Sequence, residues 1–219
     1  MTGPMTASGT PLFRQLPAPA DYAATVAAMA AHAAAIRAGT ADEEIWLLEH
    51  HPVLTGGTSA NEADLINPGD TPVHTTGRGG QWTWHGPGQR VAYVMLDLAA
   101  RRPDVRAYVS ALEGWIIDVL HGFGVEGQRR EGHPGIWVDA GARMDKVAAI
   151  GVRISRWVTW HGVAVNLDPD LSAFDAIVPC GVTDGGVTSL RRLGVEADMD
   201  MLDAALQDSF AAHFPPPTR

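Results

Sequence analysis

Three stretches of the sequence carry apolar residues at helical spacing. Asp21 precedes an alanine-rich stretch that runs to residue 37 and stops before Gly39. Residues 104–121 repeat apolar positions every three to four residues, and residues 198–213 do the same near the end of the chain. Aspartate is a favoured N-cap and glycine a favoured residue just after a helix. The pattern therefore predicts three α-helices with these bounds.

The other apolar residues form short runs that favour β-strands. The last two runs are separated by residues 155–157 alone, which predicts a hairpin. Strands and helices mix without strict alternation, which indicates an α+β fold with a mostly antiparallel or mixed sheet. The predicted strands are residues 12–16, 44–49, 73–76, 91–98, 136–138, 146–154 and 158–167. The other predicted elements are a turn-rich segment at 50–70, a glycine-rich loop at 77–89, a short helix at 171–176 and a turn at 177–181.

Length and composition indicate one domain with one core. The chain has 219 residues, of which 46% are hydrophobic. This predicts a single domain over residues 11–214 between flexible tails at 1–10 and 215–219. No signal peptide or membrane-spanning run is visible, and one cysteine permits no intramolecular disulfide, so we expect a cytoplasmic protein without a membrane partner. A net charge of −9 argues against nucleic-acid partners.

The basic residues are unusually uneven. Fifteen of the sixteen are arginine, and Lys146 is the only lysine. Either residue serves as a surface charge, but arginine stays protonated and does not accept protons. A single lysine in such a chain is therefore a candidate for proton transfer.

Several common catalytic signatures are absent from the sequence. It contains no dinucleotide-binding glycine motif, no P-loop and no H-E-x-x-H pair. It also lacks the cysteine spacing of a structural zinc site and the G-x-S-x-G elbow of serine hydrolases. We therefore expect neither a metal nor a cofactor.

Three segments instead combine glycine with polar or reactive side chains. They are residues 78–89 (RGGQWTWHGPGQ), Lys146 with the small residues after it, and Pro179-Cys180-Gly181. Gly79, Gly80, Gly86 and Gly88 would let the backbone approach a ligand closely and present free N–H groups. Taken singly, each segment is also typical of an ordinary turn, a surface lysine or a buried, inert cysteine.

Five motifs occur in order along the chain: LLEHHPVLTGG (47–57), RGGQWTWHGPGQRVAYVMLDL (78–98), PGIWV (134–138), KVAAIGVRISRWVTWHGVAVNL (146–167) and IVPCGVTDGGVTSL (177–190). This ordered set resembles the octanoyltransferase family of lipoate biosynthesis, also called lipoyl(octanoyl) transferases. Trp84 stands where a tyrosine is usual, and residues 54–57 form a looser version of their loop. The resemblance implies a biotin/lipoate protein ligase-like fold with a mixed, largely antiparallel central sheet flanked by helices.

The resemblance also implies a reaction and its partners. Such proteins transfer an octanoyl group from octanoyl-acyl carrier protein, or a lipoyl group from the same carrier, to a specific lysine of lipoyl domains. The acceptors are the lipoyl domains of 2-oxoacid dehydrogenase E2 subunits and the glycine cleavage H protein. Cys180 would be the acylated nucleophile and Lys146 its partner. The implied substrate-binding residues are Arg78, Gly79, Gly80, Gln81, Trp82, Thr83, Trp84, His85, Ala149, Ile150, Gly151, His161, Gly162, Val163 and Ala164.

Further expectations concern the surroundings of the site. We expect the donors that stabilise the oxyanion to lie near Gly79-Gly80 or near Cys180-Gly181. Val147 and Ala148 are also small enough to line an acyl tunnel. His85 and His161 suit either a role in positioning the reacting partners or a role in core packing. We expect five arginines to gather around the pocket mouth and attract acidic partners. They are Arg90, Arg101, Arg102, Arg153 and Arg156.

Three alternative functions remain open at this point. An ATP-dependent lipoate or biotin protein ligase shares the fold and does not need Cys180. An amidotransferase would pass the acyl group between lipoyl domains. A non-catalytic acyl-carrier-binding module would keep its function without the thiol and gives no reason for a lysine at position 146.

Overall fold

The described part of the chain, residues 9–178 and 185–217 of a computed structural model, forms ten β-strands and three α-helices. The strands are β1 (Leu12–Gln15), β2 (Glu44–Leu48), β3 (Val53–Gly56), β4 (Val73–Thr75), β5 (Trp82–His85), β6 (Gln89–Met95), β7 (Gly135–Asp139), β8 (Met144–Ser155), β9 (Val158–Asn166) and β10 (Gly185–Val187). The helices are α1 (Tyr22–Arg37), α2 (Val105–Gly122) and α3 (Met199–His213), and short 3₁₀ turns occur at Glu62–Asp64, Leu171–Ala176 and Arg191–Leu193.

The three helices begin and end within one residue of the predicted bounds. Asp21, Asp104 and Asp198 each accept a hydrogen bond from a backbone N–H in the first turn of the helix that follows. Such an N-cap stabilises a helix by about 1 kcal/mol. Gly39 has φ of +69°, as expected for a glycine that ends a helix. Among the described residues, none of the helices combines the length and apolar character needed to cross a lipid bilayer.

The main sheet confirms the predicted mixed, largely antiparallel arrangement. Its strand order is β1-β2-β6-β9-β8-β10, and β7 pairs with β8 beside this path. The β1–β2 and β8–β10 pairs are parallel, whereas the pairs that join β2, β6, β9, β8 and β7 are antiparallel. The predicted hairpin is present, with Ser155 opposite Val158 at its end.

The two faces of the main sheet pack against different partners. We call the face covered by α2 and α3 the helix face and the face that carries α1 the pocket face. Strand β6 shows the alternation, because Ala92 and Val94 belong to the core cluster under α2 and α3. Val91 and Tyr93 belong to the cluster with Met29 of α1. Successive side chains of a strand point to opposite faces, so one strand serves both clusters.

A second sheet of three short strands, in the order β4-β3-β5, adjoins the pocket face. Two predictions are wrong here: the turn-rich segment 50–70 contains β3, and the glycine-rich loop 77–89 contains β5. Both strands have four residues, and nearby glycines and prolines hid them from pattern analysis. The glycines nevertheless serve the pairing. A Cβ on Gly56 would lie 2.8 Å from the ring of Trp82, the residue opposite it.

Candidate active site

Two adjoining pockets lie between the main sheet and the three-stranded sheet. The inner pocket has a volume of about 40 Å³, and the lysine pocket, which contains Lys146, has a volume of about 420 Å³. Four residues line both: Arg78, Thr83, Ile150 and Gly151. The inner pocket is also lined by Tyr22, His85, Val91, Tyr93, Ala149, His161, Gly162, Val163 and Ala164.

Lys146 is buried and its amine is held from two directions. Nζ donates a hydrogen bond to the carbonyl oxygen of Pro134 at 3.0 Å. Nζ also lies 4.6 Å from the ring centroid of Trp137, and the guanidinium carbon of Arg130 lies 4.9 Å from the same ring. A cation over an indole is attracted by about 0.5–2 kcal/mol. The amine is therefore fixed in position at the pocket wall.

A β-bulge determines which face receives Lys146. Trp137 lies opposite Lys146 and Ile136 lies opposite Ala148, so Val147 is the extra residue on β8. Val147 and Ala148 consequently both belong to the helix-face core. Neither lines the pockets, in contrast to the prediction. Without the bulge, strict alternation would place Lys146 on the same face as Ala148.

Gly135 fits closely against the lysine. Its φ is +127°, a value that favours glycine. A Cβ at this position would lie 2.6 Å from the Ala148 carbonyl oxygen and 3.2 Å from Cε of Lys146. In the sequence, Pro134, Gly135 and Trp137 stand out only as parts of a family motif. The contact between Gly135 and Lys146 was therefore not predicted. The signal that could have revealed it was the glycine of the PGIWV segment, which pairs with the strand that carries the only lysine.

Arg78 organises the glycine loop that borders both pockets. Its buried guanidinium donates to the Thr55 carbonyl oxygen at 2.7 Å and to the Gln81 carbonyl oxygen at 3.1 Å. The N–H of Gly79 donates to the Val152 carbonyl oxygen at 2.9 Å, which ties the loop to β8. The predicted role of Gly79 as a free N–H donor is therefore wrong, because this group already has a partner. Gly80 retains the left-handed φ of +89°.

Buried histidine and tyrosine side chains surround the inner pocket. His50 has Nδ1 3.1 Å from the Ala20 carbonyl oxygen and Nε2 2.7 Å from the Tyr93 hydroxyl. A carbonyl accepts only, so Nδ1 carries the proton and Nε2 accepts from Tyr93. Burial lowers the pKa of His50 and raises the pKa of Tyr93 well above its usual value. Both side chains are neutral near pH 7.

His85 is kept neutral by burial, and a chain of side-chain amides fixes the orientation of its ring. Its Nδ1 lies 2.6 Å from Oε1 of Gln89, and Nε2 of Gln89 donates to Oδ1 of Asn166 at 2.9 Å. Asn166 in turn donates to the Thr188 carbonyl oxygen at 2.9 Å. Burial lowers the pKa of His85 to about 3. The ring therefore donates from Nδ1 and leaves Nε2 as an acceptor.

His161 has a strained backbone. Its φ of +59° is left-handed, which is uncommon for a residue with a side chain. The ring stacks on Trp160 with centroids 5.2 Å apart and meets Tyr93 edge-on at 5.8 Å. Burial lowers its pKa to about 3. Strain of this kind clusters at functional sites.

The predicted substrate-binding residues separate into three groups. Those along the inner pocket are Arg78, Thr83, His85, Ala149, Ile150, Gly151, His161, Gly162, Val163 and Ala164. Those confined to the lysine pocket are Gly79, Gly80, Gln81 and Trp82. Trp84 lies in a separate cluster and packs against Phe174. Cys180 lies outside the described residues.

The predicted gathering of arginines around the pocket mouth is wrong for Arg90 and Arg101. Arg90 pairs with Asp203 of α3 at 2.7 Å, and Arg101 pairs with Glu43. Alternation along β6 explains the first case, because Arg90 shares the helix face with Ala92. Within the part of the chain that the structure describes, none of the five arginines lines the inner pocket or the lysine pocket. The remaining three are Arg102 beside Asp104, Arg153 over the Trp160 ring and Arg156 in the β8–β9 turn.

The chain is similar in sequence to proteins of one family. The sequence profile of the lipoyl protein ligase A/B catalytic domain matches residues 21–211. An octanoyltransferase of Paramagnetospirillum magneticum is 58% identical over 197 residues, which cover 90% of this chain and 93% of the relative. An octanoyltransferase of Caulobacter vibrioides is 59% identical over 202 residues, covering 90% and 89%.

Solved structures confirm the predicted fold. A bipartite lipoate protein ligase from Thermoplasma acidophilum superposes with a TM-score of 0.70 at 14% identity, covering 93% of this chain and 83% of that one. A lipoate-protein ligase A bound with ATP gives 0.68 at 14% identity, covering 94% and 85%. At such identities the likeness concerns the fold alone.

Proposed function

The chain belongs to the octanoyltransferase family, within the lipoyl protein ligase A/B catalytic domains, and from that premise we propose the route of its acyl group. It is an acyltransferase that acts in protein lipoylation. We propose that the donor is octanoyl-acyl carrier protein and that the acceptor is a lysine of a lipoyl domain. The acyl group passes through a thioester on Cys180.

The observation that carries the proposal is the environment of Lys146. The only lysine of the chain is buried at the wall of a pocket, and this pocket adjoins a second, narrower one. Burying an amine is costly, so a chain that uses arginine for its other basic residues has little structural reason to place a lysine there. A group that accepts and returns a proton explains the choice.

In the first step the thiol of Cys180 loses its proton to the Lys146 amine, and its sulfur attacks the octanoyl carbonyl carbon. A new C–S bond forms while the C–S bond to the carrier breaks, and the departing carrier thiolate takes the proton from Lys146. One thioester replaces another, so the step is nearly neutral in free energy and needs no ATP. Proton transfer by a positioned side chain contributes about 10²–10⁴-fold to such a rate.

In the second step the acceptor lysine attacks the acyl-enzyme. A C–N bond forms and the C–S bond to Cys180 breaks, while the amine proton passes through Lys146 to the departing sulfur. The net reaction converts a thioester and an amine into an amide and a thiol, which is downhill. Covalent catalysis of this kind gives ping-pong kinetics.

The test uses the whole chain with octanoyl-acyl carrier protein and without ATP. We expect intact-protein mass spectrometry to show an octanoyl adduct, which disappears when a lipoyl domain is added. Cys180→Ser should form no labile adduct and lose transfer. A requirement for ATP would favour the ligase alternative. Full transfer by Cys180→Ser would refute the thioester, and carrier binding without any transfer would favour the binding module.

A further inference from the structure

Tyr22 and His161 form the boundary between the inner pocket and a third cavity. We call this cavity the outer cleft; it has a volume of about 350 Å³ and lies between α1 and β4. Tyr22 and His161 are the two residues that line both cavities. Resting on the function proposed above, we infer that this pair of rings sets the length of the acyl chain that the enzyme accepts.

We call the route from the lysine pocket through the inner pocket to these two rings the acyl path. The order of the residues along β8 gives its direction. Away from Lys146 come Ala149 and Gly151, which line the inner pocket, and then Val152, which lies opposite His161. The step from Ala149 to Val152 covers about 10 Å of strand. The inner pocket is large enough for about one water molecule. Because it is so small, the inner pocket takes only the end of the acyl chain, and the first carbons of that chain lie in the lysine pocket.

The floor of this path is made of small residues, and it ends abruptly. Two cross-strand pairs lack bulky side chains, Ala149 with Ala164 and Gly151 with Gly162. The next pair with the same spacing is Arg153 with Trp160, whose side chains stack at 4.6 Å and line the outer cleft. Tyr22 and His161 stand where the floor changes from small to bulky.

The two rings are held in place by their neighbours. The Tyr22 ring lies 5.2 Å from His50 and 5.5 Å from His74, at the start of α1. The Tyr22 hydroxyl and Nε2 of His161 are buried, and neither finds a hydrogen-bond partner within the described part of the chain. An unpaired buried polar atom is costly, as is the left-handed backbone of His161. These costs are expected where a side chain is retained for a function.

A longer acyl chain must displace these rings toward the outer cleft. The outer cleft provides space for that displacement because its α1 wall consists mainly of alanines: Ala23, Ala27 and Ala30. A chain that ends before the rings needs no such change. The pair therefore favours octanoyl over longer acyl groups.

The test removes the Tyr22 ring and measures transfer from octanoyl-, decanoyl- and dodecanoyl-acyl carrier protein. In Tyr22→Ala, the ratio of kcat/KM for dodecanoyl over octanoyl should rise by at least about tenfold, since one methylene in an apolar pocket already changes discrimination by that much. Tyr22→Phe keeps the ring and should keep the ratio. If Tyr22→Ala fails to fold, His161→Gly opens the same boundary and relieves the backbone strain.

A control lies beyond the boundary. Ala27→Phe alone should leave octanoyl transfer unchanged, because Ala27 lines only the outer cleft. Combined with Tyr22→Ala, it should remove most of the gain for dodecanoyl transfer. An unchanged ratio in folded, active Tyr22→Ala and His161→Gly would overturn the inference.

Binding of free octanoate and dodecanoate reports on the same boundary without any transfer. We expect Tyr22→Ala to raise dodecanoate affinity relative to octanoate by a similar factor. If the unaltered chain transfers no acyl group but this shift appears, the proposed function fails and the length boundary stands. If transfer proceeds and neither ratio moves, the boundary fails and the function stands.

Discussion

The two faces of the main sheet are built in different ways from the same strands. On the helix face, large apolar side chains such as Trp115, Leu112 and Phe210 are fully buried, and the rings of Trp115 and Phe210 pack edge to face. On the pocket face, β8 and β9 carry alanine and glycine beside the inner pocket, and the buried side chains include Lys146 and several neutral histidines. The first arrangement stabilises the fold, and the second keeps reactive and polar groups in a narrow apolar space. We expect substitutions on the two faces to separate stability from activity.

The largest expected effect is on activity and comes from the pocket face. Lys146→Arg places a permanently protonated group at this position and so removes the proton acceptor. The value of kcat/KM for octanoyl transfer should therefore fall by about 10²–10⁴-fold. Urea unfolding should show little change in the free energy of unfolding. Arg143→Lys is the matched control, because it exchanges the same two residue types at an exposed side chain, which pairs with Asp145. Full turnover by Lys146→Arg would rule out proton transfer by this residue.

The next effect is on stability and comes from the helix face. Trp115→Ala should lower the free energy of unfolding by about 3–5 kcal/mol, because it empties a fully buried site and leaves the Leu206 carbonyl oxygen without its 2.9 Å hydrogen bond. Transfer by the protein that remains folded should persist.

Trp160→Ala, on the pocket face, is the comparison for this effect. Its indole is partly exposed, and its Nε1 has no partner among the residues described, so the loss of stability in urea should be clearly smaller. Equal losses at the two tryptophans would remove the contrast between the faces.

The sequence predicted the helix face better than the pocket face. Helices α1, α2 and α3 follow from capping aspartates and a 3.6-residue period, which are local signals. The long β8–β9 hairpin follows from two apolar runs with a short connection. The bulge at Val147 depends on the pairing of β8 with β7, which no local pattern reveals.

The candidate site illustrates the same limit. The glycine segments and the single lysine pointed to the segments that line the two pockets. Gly79 nevertheless proved to be bonded, and Arg90 proved to face α3. Tyr22 was missed altogether because its place beside the pocket results from the packing of α1. Residues that act through tertiary contacts produce no periodic pattern or motif in the sequence, so sequence patterns do not identify them.

The last effect is a pH dependence and tests the neutral histidines of the pocket face. His85 and His161 each have a pKa lowered to about 3 by burial, against an ordinary value of 6.5 in the unfolded chain. Between these values the unfolded state binds more protons, so the free energy of unfolding falls as the pH falls from about 6.5 toward 3. Each histidine contributes about 1.4 kcal/mol per pH unit to this slope.

Urea unfolding between pH 7 and pH 4 measures the slope. His161→Asn should reduce it by the share of one histidine, and asparagine tolerates the left-handed backbone at this position. His121→Asn makes the same exchange at an exposed position near the end of α2 and serves as the control. If the two variants lost the same slope, burial on the pocket face would not be what keeps His161 neutral. The polar groups beside the acyl path would then bind protons from solvent as readily as groups on the surface do.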